Sequence, residues 1–221
     1  MMSPAEDVIN RVKAGMEDSA GRFFELEDFV RVYNDALDEM SEFTEIQENY
    51  IYVKRRKGAA YTDMRGSLPP NFLRVRSVYN PLTNKWLEAM TVREMDDTVG
   101  RFWERRTGPT RWWQMRGLWT LGAYPAAGDD VSPLKVYYTA LLPHIKIDNS
   151  LGDGVLSHTD VPHDFDSAVE YYMMYELLAE RKETDKALQF YQRFQQQLPQ
   201  LKDLAQNRTR RERIARMGAF R

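Results

Sequence analysis

Chemistry would first be sought at the three histidines, His144, His158 and His163, and the carboxylates near them. The run His158-Thr159-Asp160-Val161-Pro162-His163-Asp164 offers His158, Asp160 and His163 as metal ligands. Their spacing matches no compact ligand motif, such as two histidines one helical turn apart, and Pro162 stands between them. The same run reads as a polar loop leading into an acidic helix N-terminus, which the helix dipole favours. Asp96-Asp97 and Asp129-Asp130 lie in turn-like stretches and read as solvated loop charge, not as an acid–base pair. Gly117 and Gly122 enclose Leu118-Trp119-Thr120-Leu121, a strand pattern and not a phosphate loop, and no G-x-S-x-G is present. The chain has no Cys, which excludes disulfides, thiolate metal sites and cysteine nucleophiles. The residues therefore point to no catalytic set, no cofactor and no metal, and the expectation is a protein that is not an enzyme.

Binding chemistry is better represented. The C-terminal stretch Asn207 to Arg221 holds six arginines and one glutamate, about +5, in a chain whose net charge is -2. Residues 1–206 therefore carry about -7. Within the stretch, Ile214, Met217 and Phe220 recur every three residues, as buried anchors do. The pattern suits an arm that orders on docking into an acidic or amphipathic groove. Its candidate contacts are Arg208, Arg210, Arg211, Arg213, Ile214, Arg216, Met217, Phe220 and Arg221. Three basic runs could meet a nucleic-acid backbone: the tail itself, Lys54-Arg55-Arg56-Lys57 and Arg101 to Arg106. Arg111-Trp112-Trp113 sets base-sized rings beside a cation, as single-strand binders do. Against this, a dedicated DNA binder carries a net basic face, and tryptophans in a hairpin also serve as core.

The elements that must position these groups can be read from periodicity. Ser3-Pro4-Ala5-Glu6 is a capping box, and Ile9, Val12 and Met16 follow on one helical face. Gly21 breaks the run. A second helix is expected over Glu25 to Phe43, with Phe29, Tyr33, Ala36 and Met40 at 4-3-4 spacing, widened by Val32 and Leu37. The two should form an antiparallel hairpin. From Glu45 the pattern turns to strands: Tyr50 to Lys54, Leu73 to Arg76, one short strand over Lys85 to Ala89, a Trp112–Leu121 hairpin, and Lys135 to Leu141 with Val136, Tyr138 and Ala140 on one face. A short helix over Thr91 to Val99 interrupts them. Ile147 to Thr159 is a Gly/Asp/Ser loop. Asp164 to Arg181 is helical and apolar nearly all round, so more than its hairpin partner must bury it. Its candidate subunit-contact residues are Tyr171, Tyr172, Met174, Tyr175 and Leu178. The last helix carries Ala187, Tyr191, Phe194, Leu198, Leu201 and Ala205 at seam spacing. Pro199 should bend or split it near Gln195 to Leu198.

The expected fold is α+β: a helical bundle built from N- and C-terminal helical pairs, an antiparallel β insertion, and an extended basic C-terminal tail. The boundaries are 1–44 for the first pair, 45–146 for the insertion, 147–206 for the loop and second pair, and 207–221 for the tail. At 221 residues, 43% hydrophobic and 29% charged, the chain has the make-up of a globular protein. Met1 to Ala20 is too polar for a secretory signal, and no run approaches the roughly 18 apolar residues of a membrane span. The default location is the cytosol, or an assembly built there.

Three stretches resemble the head–tail adaptor (connector, or head-completion) proteins of tailed bacteriophages. They are the helical hairpin Pro4 to Met40, with Leu26-Glu27-Asp28-Phe29 opening its second helix; Leu68-Pro69-Pro70-Asn71-Phe72-Leu73-Arg74-Val75 leading into a strand; and Leu134 to Pro143. A Gly/Asp loop follows the last of these, and Val161 to Val169 then opens the penultimate helix. The resemblance spans most of the chain through the order of its elements. It departs in the Trp-rich middle and at Pro199. It implies a ring, usually of twelve copies, beneath the portal protein at the virion neck, extending the DNA channel and offering a platform for tail or nozzle proteins. Genomic DNA would pass through without sequence recognition, and no membrane is involved. Leu201 to Arg221 would reach the portal. The alternative from a different class is a nucleic-acid-binding accessory protein that uses the basic tail and the Arg/Trp-rich hairpin.

Overall fold

The computed structural model describes residues 5–17, 23–100, 102–128, 133–148, 155–156 and 161–218, with backbone alone at 148, 155–156 and 208–218. The chain divides into two compact units. One is Met1–Gln47 with Leu141–Arg221, and the other is Glu48–Ala140.

The first unit is helical. Helix α1 (Ala5–Gly15) buries Val8, Ile9 and Val12. The expected cap at Ser3-Pro4 and the break at Gly21 lie outside the described residues. Helix α2 (Leu26–Thr44) begins where the Glu25 N–H donates to Asp28 Oδ2 at 3.0 Å, and it ends at Glu45 in the left-handed region. Its stripe is the expected one, with Phe29, Val32, Tyr33, Ala36, Leu37 and Met40 all buried. A short antiparallel pair, β9 (Ile147–Asp148) with β10 (Val155–Leu156), follows the return from the other unit. A single 3-10 turn, His163–Phe165, leads into α4 (Asp166–Glu180). Helix α5 (Thr184–Gly218) completes the unit.

Residues from all four helices form one apolar cluster. Tyr33, Phe29, Phe165 and Phe194 are among its fully enclosed side chains, each contributing about 1.5–3 kcal/mol by burial. The pairing differs from a simple hairpin. Helices α1 and α2 touch each other lightly, and each packs mainly on α4, which also meets α5 along its length. An α4 that is apolar on more than one face has these partners within its own chain.

Two features of α5 differ from expectation. Pro199 lies inside it without splitting it. The proline removes one backbone hydrogen bond, but Leu198, Leu201 and Ala205 stay buried on either side of it and hold the seam. The segment expected as an extended tail from Asn207 instead continues the helix to Gly218. From Gln200 to Met217 there is no Gly or Pro, and Arg, Ala, Gln and Leu dominate, all strong helix formers.

The second unit stacks two four-stranded sheets. Sheet order is β1-β8-β3-β4 in one, from β1 (Gln47–Val53), β3 (Phe72–Asn80), β4 (Lys85–Trp86) and β8 (Leu134–Ala140). The other is β2-β7-β6-β5, from β2 (Tyr61–Asp63), β5 (Glu88–Ala89), β6 (Trp112–Arg116) and β7 (Thr120–Tyr124). Val53, Val78, Leu134 and Val136 of the first sheet share a core with Trp113, Leu121 and Ala123 of the second. The second sheet's other side is covered by Met95 of α3 (Val92–Val99) and by Trp103, packed with Tyr124 and Ala126. Thr91 and Glu94 form the capping box of α3, the Thr91 N–H donating to Glu94 Oε2 at 2.7 Å.

The expected single strand over Lys85 to Ala89 is two strands in two sheets. The chain crosses at buried Leu87, whose N–H donates to Val78 O at 2.8 Å, while the next N–H, of Glu88, donates to Arg111 O at 2.9 Å. The unit is also not wholly antiparallel, because β5 pairs with β6 in parallel. Among the described residues no helix is long and apolar enough to cross a membrane.

Candidate functional site

The residues picked out for chemistry do not converge. His144 Nε2 meets Asp38 Oδ1 at 2.9 Å. His163 Nδ1 meets Asp166 Oδ2 at 2.6 Å, and Arg11 lies 3.5 Å from the same oxygen. His158 and Asp160 lie outside the described residues, as do Asp129 and Asp130. Among the described residues no three His, Cys, Asp or Glu side chains come together as a metal would require. Asp96 accepts a hydrogen bond from Trp103 Nε1 at 2.9 Å and so holds an indole in place.

The tryptophans of these motifs are used largely for packing, whereas Lys54, Arg56, Lys57, Arg105, Arg106 and Arg111 are exposed. Arg55 is buried and donates to Thr110 Oγ1 at 2.7 Å, and Thr110 in turn donates to the Pro125 carbonyl at 2.9 Å. Trp113 points into the core between the sheets. Trp112, on the opposite face of β6, stacks on Tyr124 with ring centroids 5.5 Å apart and planes 12° apart. Trp103 is buried and packs edge-on against Tyr61 and Tyr124. Tyr61 donates to Glu104 at 2.7 Å, and its burial, then that carboxylate, push the phenol up to about 12. In the Arg/Trp hairpin, Trp112 and Trp113 are thus packed while Arg111, Arg116, Leu118 and Trp119 are exposed, and Arg101 lies outside the described residues.

Tyr171, Tyr172 and Tyr175 are half-buried against α5 of the same chain. Tyr172 packs on Phe194 at 5.1 Å, Tyr175 on Tyr191 at 4.7 Å and Tyr171 on Phe190 at 6.2 Å. Met174 and Leu178 lie inside the helical core. Beside them, Glu176 has its pKa raised, first by burial and then by Asp35 and Glu180. Arg31 reaches Glu180 at 2.6 Å and Asp35 at 3.7 Å. In the basic segment, residues 207–218 are helical, the side chains from Arg208 onward are outside the described residues, and so are Phe220 and Arg221.

Two features were not anticipated from the sequence. The first is charge. The unit Glu48–Ala140 holds fifteen Lys and Arg against nine Asp and Glu, a net +6. The whole chain is -2, so the helical unit carries -8 even with its basic C-terminal stretch. Averaging residues 1–206 hid this opposition.

The second is a line of rings on the outer face of the sheet β1-β8-β3-β4. Val78 and Val136 pair and point inward, so Lys135 and Tyr137, one position to either side of Val136, point outward. Tyr52 meets Tyr50 at 5.9 Å, Tyr50 meets Tyr137 at 5.8 Å, Tyr137 meets Trp86 at 5.1 Å and Trp86 meets Tyr79 at 5.2 Å. Lys135 Nζ lies 3.8 Å from the Tyr50 ring centroid and 4.7 Å from that of Tyr137. A hydrogen bond with Tyr137 raises its pKa and keeps it charged. Tyr50, Tyr52 and Trp86 are 52%, 56% and 57% exposed among the described residues. The signal was present in Tyr50-Ile51-Tyr52-Val53, whose alternation sets two tyrosines on the face opposite the core.

A chain with a tightly cored helical unit, an open aromatic sheet face and a helix that runs on into a basic end has the parts of a structural adaptor. The chain belongs to the SU10 adaptor protein family, whose model matches residues 3–218. That family consists of structural adaptors of bacteriophages, so the protein is a phage virion component that contacts other virion proteins. No curated protein matches the chain.

Proposed function

We propose that the protein forms a ring at the virion neck beneath the portal, in twelve copies, extending the DNA channel and giving tail or nozzle proteins their platform. Family membership supports the setting. The observation that carries the reading is α5: its buried seam runs from Ala187 to Ala205, and the same helix continues to Gly218. A helix anchored in a core at one end and bearing arginines at the other is built to reach a neighbour. Ile214 and Met217 stand three residues apart, and a helix brings such positions to one face. In sequence Arg208, Arg210, Arg211, Arg213 and Arg216 are interspersed with them, and Phe220 and Arg221 follow. These are the proposed portal contacts, the arginines finding carboxylates or main-chain oxygens. The half-buried Tyr171, Tyr172 and Tyr175, flanked by Met174 and Leu178, remain the proposed subunit contact on the helical unit. DNA passes through the ring as a neighbour, since an acidic helical lining repels it and lets it slide.

The experiment is truncation after Gln206. Full-length protein mixed with portal should give a complex visible by electron microscopy, and the truncated protein should not. A truncated protein that docks normally removes the tail assignment. A second reading, nucleic-acid binding, is favoured by the +6 charge of the β unit. It requires DNA affinity that falls steeply with salt, and a gel shift showing none at low salt removes it.

A further inference from the structure

The outer face of the sheet β1-β8-β3-β4 carries the composition of a protein-binding hot spot. Exposed Trp and Tyr are among the residues that dominate interface energetics. Lys135, Trp86 and the tyrosine hydroxyls can all donate hydrogen bonds, while Tyr79 already donates to Asn84 Oδ1. Glu48, two residues before Tyr50 on β1, is paired with Arg76 at 3.3 Å. Such a face calls for an acceptor-rich, negatively charged occupant.

Nucleic acid fits it poorly. Successive rings stand at 84°, 48°, 44° and 61° to one another, so they make no parallel ledge for stacked bases. One ammonium, already held between two phenol rings, is also too little for a phosphate track. A protein surface of opposite charge fits better, and the chain itself supplies one. Its helical unit carries -8 against the β unit's +6. On the α2–α4 side, Asp35, Glu39, Glu176 and Glu180 act on one another or on Tyr172, with Arg31 as the cation paired there.

We propose that the aromatic strip Tyr52–Tyr50–Tyr137–Trp86–Tyr79 with Lys135 is the face on which one copy seats the acidic helical unit of the next copy. Two strips meeting each other would set Lys135 against Lys135 with no carboxylate in the strip to answer either, so the contact is heterologous, head to tail. A head-to-tail contact propagates, and where its rotation closes it makes a ring. The inference rests on the ring reading above and specifies which surfaces make the ring.

The test uses full-length protein in sedimentation velocity over a concentration and salt series, with thermal melts to confirm that each variant is folded. Wild type should self-associate, less so as salt rises. Trp86→Ala should weaken association about 30-fold, the scale of a hot-spot truncation. Lys135→Glu with Trp86→Ala should be monomeric, and so should Asp35→Lys with Glu39→Lys. Mixing these two double variants leaves one live face of each kind, so the mixture should give 1:1 pairs and nothing larger. The proposal is overturned if wild type stays monomeric, if the strip variant associates like wild type, or if the mixture does not pair. Binding of an oligothymidylate that the strip variant loses, with self-association unchanged, would assign the face to nucleic acid instead. Portal docking is scored separately with the protein truncated after Gln206, so the portal assignment and the subunit contact can fail independently.

Discussion

The helical unit and the β unit solve the burial problem differently. The first gathers four helices around one large apolar cluster in which α4 is enclosed by α1, α2 and α5. The second divides its apolar residues between two smaller clusters, one on each side of the sheet that contains β6 and β7. On the outer face of its other sheet Trp86, Tyr50 and Tyr52 are exposed. The charges also oppose, -8 against +6. A thick core on one side and a thin core with an open aromatic face on the other suggest a division of labour. One part keeps its shape alone, and the other keeps a surface in reserve for a partner.

That contrast can be probed directly, because all five tryptophans lie in the β unit and most of the helix lies in the other. Tryptophan fluorescence and far-UV circular dichroism at the helical band therefore report on different halves of the molecule. The largest effect is expected from Phe194→Ala. The ring is fully buried on α5 beside Tyr172, and its loss should cost about 3–5 kcal/mol. In urea the helical transition should shift to lower concentration while the fluorescence transition stays. If both move together, the units unfold as one and the contrast fails.

Gly122→Ala is the converse. A Cβ there would stand 2.9 Å from Gln114 Cγ and 3.1 Å from Tyr61 Cε1. Overpacking of this kind costs about 1–3 kcal/mol, and only the fluorescence transition should respond. Asn34→Ala comes next. Asn34 accepts from the Ile145 N–H at 2.8 Å and donates to the Ile145 carbonyl at 3.1 Å, pinning the returning chain to α2. Removing both bonds should cost about 1–2 kcal/mol, read in the helical transition.

The smallest effect is Glu176→Gln. Burial, then Asp35 and Glu180, raise the pKa of Glu176. A carboxyl raised in the folded state favours folding at low pH, and that benefit is lost as pH rises through its folded value. The glutamine variant, which mimics the protonated form, should melt slightly higher than wild type at pH 7. The difference should vanish below the ordinary carboxylate range. A lower melting temperature for the variant at pH 7 would contradict this reading of the acidic face.

The two units also differed in how far they could be read from sequence. The stripe Phe29–Tyr33–Ala36–Met40 and the seam from Ala187 to Ala205 are buried at every expected position or nearly so, with only Tyr191 half-exposed. Helical burial repeats every 3.6 residues and is written locally. Strands were legible where they were long, as in β8, or joined by a tight turn, as in β6 and β7 around Gly117. Sheet membership was not, because pairing depends on residues far away in the chain. Nothing in Lys85 to Ala89 announces that Leu87 crosses from one sheet to the other. Three-residue β2 was too short to show a pattern. The Trp112-Trp113 pair illustrates the same limit: adjacent rings on a strand face opposite ways, and both turn out to be packed. The outward rings that do form a surface come from four separate strands, so no linear motif could display them. The candidate docking arginines were legible as a cluster, but their helical setting was not, because their density read as an extended arm from Asn207 where the helix continues.

The unbroken run of α5 has a consequence of phase. At 1.5 Å and 100° per residue, a continuous helix fixes both how far its last turns lie from the seam and which way they face. It acts as a vernier between the core and whatever the C-terminal end meets. One residue inserted after Ala205 would advance the end by only about 1.5 Å but rotate it by about 100°. Seven residues would advance it about 10 Å and nearly restore its bearing. A partner that reads orientation will reject the first change, and one that reads reach will reject the second.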